Sequence, residues 1–116
     1  FYGMRTLEEA DPEFHPYYEG AMEKRDMAYH QGTVWTFPLG AYYLAYLKVH
    51  AYSERAKQDV KEQLEVLECA LKEGCIGQLP EIYDGKNPVS SKGCFAQAWS
   101  VGELLRVYEQ IEKKKK

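Results

Sequence analysis

The sequence predicts an all-α fold in which three main helices follow a long irregular N-terminal segment. Three observations carry this. Apolar residues recur at three- and four-residue steps in three windows. Helix-start and helix-stop residues flank those windows. No window shows the sustained alternation of apolar and polar side chains that marks a half-buried strand.

Residues 1–31 hold Gly3, Pro12, Pro16 and Gly20 among mixed polar and aromatic residues, with no sustained period. They are expected to be mostly loop, with at most short strands. Over residues 37–51, Leu39, Tyr42, Tyr43, Tyr46, Leu47 and Val49 make a broad apolar surface, and Pro38 stands where a first helical turn tolerates it. This helix is expected to be buried nearly all round. Ser53 can cap a second helix, in which Ala56, Val60, Leu64, Leu67 and Leu71 form one stripe and Gly74 marks the end. A third helix, residues 95–111, carries Ala98, Val101, Leu104, Leu105 and Tyr108, and Gly102 suggests a close helix contact.

The 116 residues, 45% apolar and 28% charged, fit one globular unit, residues 1–116, with no internal repeat or boundary. The formal charge is −3, and more negative still without the lysine run 113–116, read as a solvated tail. Such a balance argues against a nucleic-acid partner. Cys69, Cys75 and Cys94 are an odd number without a CxxC pair, which fits small core or surface residues in a reducing, cytoplasmic compartment. The longest nearly apolar run, residues 37–47, is shorter than the ~20 residues of a membrane span. His15, His30 and His50 lack metal-ligand spacing, so neither a metal nor a cofactor is expected. A serine or cysteine hydrolase would want a nucleophile elbow, and none is present. The chain begins at Phe1 rather than Met, as an excised piece of something longer would.

Residues 74–93 form a long segment without periodicity, holding Gly77, Pro80, Gly85 and Pro88. Loops beyond about 12 to 15 residues are uncommon in compact domains and tend to be functional or disordered. Ile76, Leu79, Ile82 and Tyr83 make this one too apolar for a linker, so a packed loop is expected. Pro80 and the Asp84-Gly85 turn stiffen it, placing Glu81 and Tyr83 on an extended stretch with both side chains to one side. Aromatic faces, amides, imidazoles and carboxylates are what a carbohydrate site requires, and the stretch from Tyr29 to Trp35 supplies most of them at the entry to a helix. Tyr42, Tyr43 and Tyr46, on helical spacing, read instead as helix packing.

Four stretches in order, MRTL (4–7), AYHQGTVW (28–35), LPEIYDG (79–85) and KGCFAQAWSVGELLR (92–106), resemble the C-terminal end of the amylo-α-1,6-glucosidase family of glycogen debranching. The Glu-x-Tyr-Asp of residues 81–84 is similar also to the base-bearing loop of glucoamylases and trehalases, which share an (α/α)6 toroid. The resemblance implies that the three helices are the last ones of such a toroid, and that the chain is the C-terminal fragment of its catalytic domain. It implies that Glu81 is the general base of an inverting enzyme that hydrolyses α-1,6-linked glucose at glycogen branch points. The general acid would precede Phe1, leaving the isolated fragment inactive. His30, Gln31 and Trp35 match the motif that lines the sugar pocket, with hydroxyl contacts from the first two and ring packing from the third. Arg5, Tyr83 and Gln97 are further substrate-binding candidates. Relatives usually carry Pro-Trp where this chain has Thr36-Phe37-Pro38, which leaves open whether position 37 reaches the pocket. The partner implied is glycogen or an α-glucan oligosaccharide, with self-association of the fragment through exposed helix faces. Two alternatives stand beside this reading: another α-glucosidase of the same fold, and a non-catalytic helical module that binds glycans or a protein.

Overall fold

The computed structural model describes residues 2–113, so Phe1 and all of the expected lysine tail except Lys113 lie outside the described residues. The three helices are present. Pro38 opens α2 (Pro38–Val49), with Phe37 as its N-terminal flank. Ser53 caps α3 (Glu54–Glu68), its hydroxyl accepting the Ala56 N–H at 3.2 Å. A 3-10 turn, Cys69–Lys72, then leads to Gly74 at φ +60°. The last helix, α4, starts at Ala98, three residues later than the spacing suggests, and runs to Glu112.

The fold class is nevertheless mixed α/β, which corrects the all-α, toroid-end expectation. Four short strands, β1 (Met4–Arg5), β2 (Val34–Trp35), β3 (Ile82–Tyr83) and β4 (Ser91–Lys92), form one antiparallel sheet in chain order. Met4 pairs with Trp35, Val34 with Tyr83, and Ile82 with Lys92. Each strand is only two residues long, and both residues of β2 and of β3 are buried. A run so short, covered on both faces, has no alternation to display. A further helix, α1 (Met22–Tyr29), also lies in the segment expected to be loop. Its sequence MEKRDMAY buries only Ala28, so it has no apolar stripe for a periodicity argument to find.

The core sits among α2, α3 and α4 (Ala98–Glu112), where Leu39, Tyr43 and Leu47 meet Val60, Leu64, Leu67, Leu104 and Val107. The burial of α2 is one-sided, contrary to expectation: Tyr42 is 52% and Val49 81% exposed. Gly102 is not the close contact either, since a Cβ there would meet nothing within 4 Å. That role belongs to Gly40 of α2, where a Cβ would stand 2.6 Å from the Glu103 Cβ of α4. Because the two helices approach at Gly40, α4 is held alongside α2, with its N-terminal Trp99 beside Phe37.

Candidate active site

Backbone crossings assemble the site. Gly32 ends the turn after α1, and a Cβ on it would run into the His15 main chain at 2.5 Å. Gly85 lies against Gly32, where a Cβ would collide with the Gly32 carbonyl oxygen. Only residues without side chains allow such approaches. The His15 N–H donates to the Gln31 carbonyl at 2.6 Å, and the Gly85 N–H to the Pro16 carbonyl at 2.7 Å. Three segments far apart in sequence are thereby stacked, and the pairing of β2 with β3 fixes their register.

Buried polar groups in this region are hydrogen-bonded in turn. The Thr33 hydroxyl donates to the Tyr29 carbonyl at 2.8 Å, and the Thr36 hydroxyl to the Tyr2 carbonyl at 2.8 Å. The Thr6 hydroxyl donates to the Thr33 carbonyl and accepts the Gly32 N–H. The Ser100 hydroxyl donates to the Pro80 carbonyl at 2.9 Å, which ties α4 to the residue before Glu81.

Glu81 immediately precedes β3 and is half-buried. Its main-chain N–H donates to the Cys94 carbonyl at 2.8 Å, while the Cys94 N–H donates to its carboxylate Oε2 at 2.9 Å. The Tyr29 hydroxyl donates to Oε1. Burial, with the carboxylate as the second cause, pushes the Tyr29 phenol up to about 12, so it stays a donor throughout the neutral range. Glu81 opens onto a cavity of about 610 Å³ that is also lined by Tyr18, Glu19, Arg25 and Lys92.

Next to this lies an aromatic hollow of about 330 Å³, lined by Arg5, His30, Trp35, Phe37 and Trp99. The exposed His30 ring stacks on Trp35 at 5.4 Å and 12°. Phe37 stacks on Trp99 at 4.3 Å and 19°, so position 37 does reach the hollow. Trp35 is only 5% exposed, and its indole N–H is spent on the Tyr29 carbonyl and the Thr33 hydroxyl. It backs the exposed His30 ring that stacks on it. The Arg5 Nε–H donates to the Gly85 carbonyl at 2.9 Å, and its guanidinium pairs with Glu9 at 3.2 Å.

His30, Trp35 and Arg5 therefore share one hollow, while Glu81 lines the neighbouring cavity. The other candidates stand apart. Gln31 has its Oε1 buried without a hydrogen-bond partner, Tyr83 is buried against Tyr2 with its hydroxyl also unpartnered, and the half-buried Gln97 gives its main-chain N–H to the Leu79 carbonyl. Burial raises the Tyr83 phenol well above its ordinary value. Asp84, buried at 3%, accepts the Tyr18 N–H at 3.1 Å and stands 3.8 Å from the Lys92 ammonium, a bracing role.

Sequence reasoning placed Tyr29 in the carbohydrate-site stretch and left position 37 open, but gave Tyr29 no role at Glu81 and did not single out Trp99 or the Gly93-Cys94 main chain as parts of the site. Tyr29 and Cys94 lie inside quoted stretches, but nothing in a sequence says that a phenol and an N–H some sixty positions apart meet one carboxylate. Among the described residues no group of three or more His, Cys, Asp or Glu side chains is placed to hold a metal ion. No described helix is long and apolar enough to cross a membrane.

No curated protein and no solved structure matches the chain significantly. The family model described as amylo-alpha-1,6-glucosidase matches residues 1–106, nearly the whole chain, and the chain belongs to that family of glycogen-debranching glucosidases.

Proposed function

We propose that this chain supplies the general base and one wall of the sugar pocket of an inverting amylo-α-1,6-glucosidase, which releases α-1,6-linked glucose from trimmed glycogen branches. The observation that carries this is the Glu81 carboxylate, bonded at one oxygen by Tyr29 and at the other by the Cys94 N–H, at the edge of an open cavity beside an aromatic hollow. A carboxylate held in this way can take a proton from a water aimed at the anomeric carbon. The exposed His30 ring can pack on the apolar face of a glucose, with the buried Trp35 ring stacked behind it. Arg5 and Trp99 complete that wall.

Inversion needs a second carboxyl, as acid, about 6.5 to 9.5 Å from the first. Asp84 is bound to Tyr18 and Lys92. Glu19 is exposed and pairs with the same lysine at 4.0 Å. The acid is accordingly assigned to a part of the enzyme outside these 116 residues, and the chain by itself should release no glucose. In the full-length protein, Glu81→Gln should lower kcat by about two to four orders of magnitude with little change in KM, the usual worth of a positioned base. Steady-state glucose release from a limit dextrin measures this. A loss confined to KM would make Glu81 a binding group instead.

A further inference from the structure

We propose that Tyr29 is a positioning residue: its hydroxyl fixes the Glu81 carboxylate, and its ring ties that carboxylate to the aromatic hollow. This rests on the reading of Glu81 as the base. Tyr29 is the last residue of α1, and three independent contacts set where its hydroxyl stands. Its ring meets His30 edge-on at 4.7 Å and Trp35 edge-on at 4.8 Å, and packs against Tyr18 at 5.6 Å. Its carbonyl receives the Trp35 indole N–H at 3.0 Å and the Thr33 hydroxyl at 2.8 Å. The residue is thus held by His30 and Trp35, two rings that line the hollow, while its hydroxyl donates to Glu81 Oε1.

The other side of the carboxylate is equally confined. Gly93 has φ +69°, and a Cβ on it would stand 2.5 Å from Glu81 Oε2 and 3.3 Å from the Glu81 Cβ. With Gly93 and the Cys94 N–H on one oxygen and Tyr29 on the other, the carboxylate plane has little freedom. An unrestrained glutamate would sample several rotamers, and a base displaced by about 1 Å can lose on the order of 10²-fold in rate. Among the described residues the phenol is the one side-chain donor to this carboxylate. Removing its hydroxyl frees one oxygen, whereas removing its ring also withdraws support from the His30–Trp35 stack.

The two losses give different kinetics in the full-length enzyme. Tyr29→Phe should lower kcat by about 10- to 100-fold with KM nearly unchanged, because the ring and its packing remain. Tyr29→Leu should show the same kcat loss together with a raised KM. In a Glu81→Gln background Tyr29→Phe should cost nothing further in kcat, a non-additivity that a merely structural role would not produce. The contact is read separately in the 116-residue chain carrying ¹³Cζ-labelled tyrosine: Glu81→Gln should lower the Tyr29 titration by removing the carboxylate's part of its upward shift, while the larger part due to burial remains. Additive losses, or an unmoved Tyr29 titration, would overturn the proposal. A full Glu81→Gln effect beside a silent Tyr29→Phe would sink this inference alone; a silent Glu81→Gln would remove the base reading and this inference with it.

Discussion

The two halves of the molecule are held together by different physics. Among α2, α3 and α4, side chains meet side chains: Leu47, Val60, Leu64 and Val107 are at most 1% exposed and make their contacts by shape alone. In the sheet half, main chain meets main chain at Gly3, Gly32 and Gly85, and hydroxyls of Thr6, Thr33 and Thr36 satisfy the buried carbonyls. An apolar core tolerates exchange as long as volume is kept. A backbone crossing tolerates almost none. The proposed base and sugar wall are built on the second kind of structure, which fits the sub-ångström placement that catalysis asks for.

That contrast can be broken by substitutions that separate stability from site geometry. The largest stability loss should come from Leu64→Ala, about 3 to 5 kcal/mol, through lost burial and a residual cavity. Denaturant titration measures it, and the remaining folded fraction should keep the Glu81–Tyr29 contact in tyrosine NMR. Gly32→Ala should cost less, about 1 to 3 kcal/mol, yet disrupt the site, because the added methyl meets the His15 main chain and forces the turn after α1 away from β3. Its signature is a shift of the Tyr29 and Trp35 resonances with little change in helical circular dichroism. A Gly32→Ala chain with an intact site would show that the crossings are looser than their geometry says. Gly102→Ala is the smallest and has the opposite sign. In the interior of α4, with nothing within 4 Å of the new Cβ, alanine should stabilise by about 0.5 to 1 kcal/mol and leave the site unchanged.

Legibility in the sequence follows the same division. α3 could be read from Ser53 and the Val60, Leu64, Leu67 spacing, and the start of α2 from Pro38, because these signals are local and periodic. The sheet could not be read, since Val34-Trp35 and Ile82-Tyr83 are too short to alternate and find each other across some fifty positions. α1 was hidden by its polar sequence. Glycines were visible but ambiguous: Gly102 looked like a contact and faces open space, while Gly40 makes the contact and sits inside an apolar run. On the site, Glu81 stood out as a carboxylate in a proline-stiffened loop, and His30 and Trp35 as members of a resembled motif. The partners that orient Glu81 did not, because Tyr29 and the Cys94 N–H come to it only through the fold.

The central claim is that Glu81 deprotonates the attacking water of an inverting hydrolysis. It is tested most directly with full-length Glu81→Gln, α-glucosyl fluoride as substrate and azide as nucleophile, the products being followed by proton NMR. Azide needs no deprotonation, so it should restore turnover in the variant while leaving the parent enzyme unaffected, and it should give β-glucosyl azide, the inverted product. Formation of α-glucosyl azide, with retention, would instead make Glu81 the acid/base of a double-displacement enzyme and contradict the account.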